Sequence, residues 1–257
     1  MTNNICDYSD YDYKTSFWNQ SNRQYEHELE LSVLNHIFKT HCSNYASILD
    51  AGCGFGRLFE SYQPYFSHYI LFDYAQNLID EAESTLHHIK AIDYIQGSLY
   101  DINLPSSCDV ILSIRTLHHL NDLNTLFDNF YKTLSPGGTL ILDIPNKTHI
   151  KNRIKQWFRG QFYMNESSIQ LSDHFYNYHP DHVIRLLIDF GFRIQYRYQV
   201  GLFRIPIIKK IIPTQILINV EKWFNKLLGY FNYAPSVYVV AIKDVDNFVD
   251  KLNTVPK

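Results

Sequence analysis

Gly52, Gly54 and Gly56 alternate in the run "ILDAGCGFGRL" (residues 48–58), directly behind an apolar stretch that ends in Asp50. Glycine tolerates φ > 0 and lets a ligand approach the bare backbone. A glycine turn that follows a strand and opens a helix sits where open α/β sheets take nucleotide-like ligands. Asp73 stands 21 residues past Gly52, at the end of the next apolar run, where a carboxylate can accept hydrogen bonds from ribose hydroxyls. The spacing is G-x-G-x-G, not the dinucleotide fingerprint G-x-G-x-x-G. Binding of an adenosine-type ligand is therefore expected, and Asp73 alone does not separate a nicotinamide cofactor from other adenosine ligands. The plain alternative is a tight strand–helix turn without a ligand, which three alternating glycines fit poorly.

The other groups that could do chemistry are imidazoles, whose ordinary pKa of about 6.5 suits a general base. His118 and His119 lie in "RTLHHL", and His174 and His179 in "SDHFYNYHP". Each has a bland reading, structural for the first pair and helix capping or surface exposure for the second. Asp173 beside His174 could orient it, although adjacent side chains usually point apart. Cys6, Cys42, Cys53 and Cys108 are scattered without a C-x-x-C pair, so neither a disulfide framework nor a metal site is expected and a reducing, cytoplasmic setting fits.

Positioning these residues takes alternating elements. "QYEHELELSVLNHIFKT" (24–40) spaces Tyr25, Leu29, Val33, Leu34, Ile37 and Phe38 at helical intervals, with acidic residues in its first turns as the helix dipole prefers. Strands are expected at 46–51, 68–73, 91–96, 109–114 and 139–144, with helices over 56–66, 75–88 and 122–134 between them. "SPGG" (135–138) reads as a turn. Such alternation means crossover connections and a parallel sheet covered on both faces. Further on, His179-Pro180-Asp181 reads as a helix start with Gly191 closing that helix, and 193–200 and 235–243 read as two more strands.

Taken in order, "LDAGCGFGRL", "ILFDYAQNLIDEAE", "GSLYDINLPSSCDVILSIRTLHHL" and "LSPGGTLILDIPN" resemble the class I S-adenosylmethionine-dependent methyltransferase family, closely over residues 46–146 and loosely over 172–243. The resemblance implies a Rossmann-like, seven-stranded, mostly parallel sheet with an antiparallel last strand, helices on both faces and a helical insertion before that strand. One domain is expected, made of an N-terminal arm and entry helix (1–45), a cofactor-binding core (46–146), an acceptor-side segment (147–190) and an insertion or lid (201–234). The resemblance assigns Asp50 and the backbone of Gly52, Cys53 and Gly54 to the methionine part of the cofactor. It assigns Asp73 to the ribose hydroxyls, with Tyr74 near the adenine and Ser98 and Leu99 flanking it. Many relatives carry an aspartate at the position of Ser98. Arg115 borders the methyl-transfer zone, and Arg23 and Tyr25 close over the cofactor carboxylate. Candidate bases toward the acceptor are His119, His174 and His179. No metal is expected.

Charge divides the chain. Residues 1–146 hold 7 Lys+Arg against 18 Asp+Glu, whereas 147–230 hold 13 against 5. In 149–164, Lys151, Arg153, Lys155 and Arg159 interleave with Ile150, Ile154, Trp157 and Phe158, and 203–229 repeats the mixture around Arg204, Lys209 and Lys210. Two readings stand: these segments cover the substrate pocket with their apolar sides inward, or they lie in a membrane interface. Pro206 and Pro213 argue against one continuous surface helix. No signal peptide and no membrane-spanning run is visible. The acidic first half and the absence of a base-methylating "NPPY" motif argue against a nucleic-acid partner. The expected function is methyl transfer to a hydroxyl, or an amine, of a lipophilic or secondary metabolite. The alternatives are a lipid or quinone methyltransferase at the membrane surface and a cofactor-binding subunit without catalysis.

Overall fold

The computed structural model describes residues 23–104, 106–159, 169–172, 175–228 and 231–244. Helix α1 (Gln24–His41) leads into strand β1 (Ser47–Ala51), the short α2 (Phe59–Tyr62), β2 (His68–Asp73), α3 (Gln76–Leu86), β3 (Ile92–Gln96), β4 (Cys108–Ser113), α4 (Leu123–Thr133) and β5 (Leu134–Pro145). There follow α5 (Ile150–Arg159), β6 (Ile169–Ser172), β7 (Phe175–Asn177), α6 (Pro180–Asp189), β8 (Phe192–Val200), α7 (Pro206–Ile211), α8 (Thr214–Leu228) and β9 (Ser236–Lys243). Seven strands form one sheet in the order β3-β2-β1-β4-β5-β9-β8, in which β9 alone runs antiparallel to its neighbours.

Successive strand residues point to opposite faces, and here both faces are apolar. Ile48, Val110, Leu112 and Ile141 meet α1, α2 and α3 on one side; Leu49, Ile111, Leu140 and Leu142 meet α4 and α6 on the other. That two-sided burial is why the central strands read as unbroken apolar runs.

Three expectations change. The helix expected over 56–66 shrinks to Phe59–Tyr62 and a 3-10 turn over Gln63–Tyr65. Gly52, Gly54 and Gly56 all take positive φ (87°, 56° and 77°), which no right-handed helix accommodates, and Pro64 tightens the far end. "SPGG" is not a turn but part of β5, where the register against β4 shifts between Cys108 and Val110. A Cβ on Gly138 would come within 2.8 Å of the Asp109 carbonyl oxygen, so only glycine lets the bulged strands approach. Within the acceptor-side segment, β6 and β7 pair as a separate two-stranded sheet that sequence reading did not foresee.

Two of the acidic residues in the first turns of α1, Glu26 and Glu30, are buried. Lys209 of α7 reaches Glu26 at 2.8 Å, and Tyr25 donates to Glu221 of α8, so the insertion is fastened onto α1.

Candidate functional site

Strand order reverses between β1 and β4, and the crevice at their carboxyl ends is the usual ligand position in such sheets. A cleft of about 940 Å³, counting its open mouth, lies there. Its floor is the glycine turn. Gly52 cannot carry a side chain, because a Cβ would stand 2.4 Å from Thr116 Oγ1, whereas a Cβ on Gly54 would meet nothing within 4 Å. The Gly54 backbone is thus bare toward open space.

The turn is held from β2. Gly52 and Cys53 N–H donate to the Phe72 carbonyl, and Gly54 N–H donates to Asp73 Oδ2 at 2.8 Å. Asp73 Oδ1 accepts from Ala75 N–H at 3.0 Å. A carboxylate has about four lone-pair sites, more than these amides fill, so accepting capacity is left for ribose hydroxyls. Burial raises the Asp73 carboxyl above its ordinary range, while the amides of Ala75, Gly54 and Tyr74 pull it back. Because all three turn amides are bonded inside the protein, the turn offers a ligand close approach rather than N–H donors.

Asp50 is buried behind the turn and accepts from the Tyr62 hydroxyl at 2.9 Å. Burial pushes its carboxyl up to about 7 against that hydrogen bond, with Asp73 adding to the rise and Arg57 opposing it. A cation brought beside Asp50 would favour its charged form. Opposite the carboxylates, Arg57 and Arg115 line the cleft. Arg115, just beyond β4, takes a left-handed φ of 58°, uncommon for a residue that carries a Cβ, and donates through Nε to Glu30 Oε1 at 2.8 Å. Arg57 reaches Glu30 Oε2 at 2.7 Å.

The remaining expected residues sort as follows. Tyr74, Ser98 and Leu99 line the cleft with the glycines, Cys53 and both aspartates. The Ser98 hydroxyl accepts from Tyr100 N–H at 3.2 Å, which shapes the turn after β3. Tyr25 is buried with its hydroxyl donating to Glu221 and is not among the cleft-lining residues. Arg23 precedes α1 and is not among the cleft-lining residues either. His119 does line the cleft, its ring centroid 3.9 Å from that of His118, and His118 stacks on Phe175 at 5.4 Å. Burial holds His118 well below its ordinary pKa, with His119 and Arg115 adding. His179 caps α6, accepting from Asp181 N–H at 3.3 Å, and does not reach the cleft. His174 lies outside the described residues.

Sequence reasoning missed Arg57 and Glu30. The signal was present: Glu26, Glu30, Val33 and Ile37 continue one helical stripe, so two carboxylates sat on the face that had to be buried.

The cleft suits S-adenosylmethionine. Asp73 has lone pairs for ribose hydroxyls, Asp50 welcomes a cation, and two guanidiniums are placed for a carboxylate. Residues 49–142 match the sequence model of a family described as "Methyltransferase domain". The ubiquinone biosynthesis O-methyltransferase of Xylella fastidiosa is 31% identical over 127 residues, 48% of this chain and 51% of that protein. The malonyl-[acyl-carrier protein] O-methyltransferase of Yersinia pestis is 27% identical over 139 residues, 51% of each. The chain spans about half the length of these curated relatives. Among solved structures, the N-methyltransferase NodS of Bradyrhizobium japonicum WM9, in complex with S-adenosyl-L-homocysteine, is similar with a TM-score of 0.58 over 89% of this chain and 91% of its own, at 15% identity. The magnesium protoporphyrin IX methyltransferase of Synechocystis PCC 6803 gives 0.60 over 88% of each chain at 14% identity. At those identities the likeness is one of fold.

Proposed function

We propose that this chain, whose residues 49–142 match the family described as "Methyltransferase domain", is a class I S-adenosylmethionine-dependent enzyme that transfers the methyl group of that cofactor to a hydroxyl or amine of a lipophilic small molecule. The observation that carries the reading is Asp73: two backbone amides orient its carboxylate beside the bare Gly54, with lone pairs left over.

The bound cofactor supplies a methyl carbon already activated by a positively charged sulfur. The chain's own share is mainly alignment, which can lower a barrier by roughly 7–11 kcal/mol where the geometry is near-attack. Asp73 fixes the ribose end and Asp50 faces the amino-acid end. Arg57 and Arg115, held by Glu30, offer charge to a carboxylate. Where the acceptor must lose a proton, His119 is the expected histidine that borders the cleft, and it would take that proton. Incubating the protein with methyl-labelled S-adenosylmethionine and a metabolite extract tests the reading. Label is expected in the organic phase. No transfer to any fraction, together with no binding of S-adenosylhomocysteine, would overturn it and leave a subunit without catalysis.

A second reading places the reaction at a membrane surface, and one observation favours it: the apolar sides of the basic segments face outward. Trp157 and Phe158 of α5 are 68% and 77% exposed, and Trp223 of α8 is 59% exposed. Ile150 and Ile154 extend the α5 row to Phe158 at intervals of four, and Ile216 and Val220 precede Trp223 on α8 at intervals of four and three. Lys151, Arg153, Lys155, Lys210 and Lys222 are exposed among them. The two segments adjoin, since Lys151 Nζ donates to the Arg204 carbonyl at 3.4 Å. Each basic residue near an anionic surface contributes about 1 kcal/mol. No helix among the described residues is long and apolar enough to cross a membrane. Cosedimentation is therefore expected with vesicles containing phosphatidylglycerol, weakened by salt, and lost in Trp157→Ala/Phe158→Ala. Equal recovery with neutral phosphatidylcholine vesicles at high salt would sink the electrostatic part of this reading.

A further inference from the structure

On the α1 side of the sheet, beneath the insertion, the fold buries polar atoms and gives them nothing to bond. Asp143 and Tyr238 stand opposite each other in the β5–β9 pair, both buried. Asp143 Oδ1 and the Tyr238 hydroxyl have no hydrogen-bond partner. Arg204, between β8 and α7, adds two more such atoms, Nε and Nη2. Its side chain lies against the backbone of Gly201, where a Cβ would stand 2.3 Å from Nε. Glu30 Oε1 is 3.8 Å from Nη2, near enough to attract but outside hydrogen-bond reach.

Folded proteins bond the great majority of buried polar atoms, so four orphans in one place point to a missing partner. Their kind says which. Nε–H and one Nη2–H lie along the same edge of the planar guanidinium, and that edge matches the two oxygens of a carboxylate. Two guanidinium donors and a hydroxyl stand near the unpartnered acceptor Asp143 Oδ1, and His149 Nδ1, close enough to feel the Arg204 charge, is a further buried atom without a partner.

We propose that Arg204 receives a carboxylate of the methyl acceptor on its Nε–Nη2 edge, with the Tyr238 hydroxyl as a further donor. The inference rests on the methyl-transfer reading above. Arg115 joins the two places, because it lines the cofactor cleft and pairs with Glu30, the carboxylate beside Arg204. A phosphate dianion fits less well, since Glu30, Asp143 and Glu221 already stand around these guanidiniums. Asp143 Oδ1 is left to accept from a hydroxyl or N–H of the same molecule. Entry requires α7 and α8 to lift from α1, to which the Lys209–Glu26 and Tyr25–Glu221 contacts now hold them.

The test is calorimetric titration of the full chain with two matched pairs, phenylacetate against phenylacetamide and hexanoate against hexanamide, with and without S-adenosylhomocysteine. Each acid is expected to bind about tenfold tighter than its amide, as a charge-assisted bidentate contact would give. Arg204→Gln should erase that preference. Arg204→Lys, which keeps the charge without the fork, should keep part of it. Equal binding of acid and amide, no binding of either, or a preference that survives Arg204→Gln overturns the proposal. Should Arg204→Gln fail to fold, the wild type and Arg204→Lys decide. A protein that prefers the acids yet never binds S-adenosylhomocysteine would retain the carboxylate site and lose the methyl-transfer reading instead.

Discussion

Asp73→Ala should weaken binding of S-adenosylhomocysteine by about a hundredfold or more, read by calorimetry. Hydrogen bonds to a charged group are each worth about 1.5–3 kcal/mol, and two to the ribose would disappear. The same carboxylate is the clasp of the glycine turn, since it accepts from Gly54 N–H at 2.8 Å and Ala75 N–H at 3.0 Å. Its loss therefore also loosens the bare backbone that the ligand approaches. Asp73→Asn separates the two roles: one amide oxygen can still hold one backbone N–H, while the new NH₂ cannot accept from a ribose hydroxyl. A smaller loss, about tenfold, is expected of it, with a melting temperature closer to the wild type than that of the alanine variant. Unchanged affinity in Asp73→Ala would mean that the ligand is not held at the end of β2.

The parts of the fold that local chemistry dictates were readable in the sequence. "HYILFD" is a strand over the very residues expected, because an apolar run of that length between turn signals leaves few options. The glycine turn and Asp73 come together because both follow parallel neighbouring strands and their spacing is fixed by the crossover. What stayed hidden depends on distant partners. Glu26 and Glu30 are buried because Lys209, Arg57, Arg115 and Arg204 come to them, and Lys209 is 183 residues from Glu26. The partner of the Tyr25 hydroxyl, Glu221, was hidden in the same way. The orientation of α8 was hidden for another reason. Leu217 and Ile218 face the core while Ile216, Val220 and Trp223 face out, so a helix apolar on two sides does not announce which side is inner. "SPGG" has turn chemistry, yet the pairing of the flanking Leu134 and Thr139 with β4 draws it into a bulged strand.

Glu30→Gln is expected to cost about 3–5 kcal/mol of stability near neutral pH, the range for removing one partner from a buried ion pair. The carboxylate is fully buried, and guanidiniums converge on it from three elements. Arg115 donates to Oε1 through Nε at 2.8 Å and also through Nη2, Arg57 donates to Oε2 at 2.7 Å, and Arg204 stands at 3.8 Å. Glutamine accepts through one atom only and turns N–H groups toward a cation. Burial by itself would raise the Glu30 carboxyl, but Arg115 and then Arg57 overcome it and draw it down from 4.5 to about 2. Because the folded value lies below the unfolded one, the stabilisation is complete above about 4.5 and fades as pH falls toward about 2. Denaturant titrations of wild type and variant should therefore differ most near neutrality and converge in acid. A gap that stays constant through that window would mean that the loss comes from packing rather than charge. The effect reaches the cleft as well, since Arg57 and Arg115 are the cations that line it and Glu30 is what they share. Released from it, they lose the geometry in which a carboxylate would meet them, so cofactor affinity should fall even under conditions where the variant remains folded.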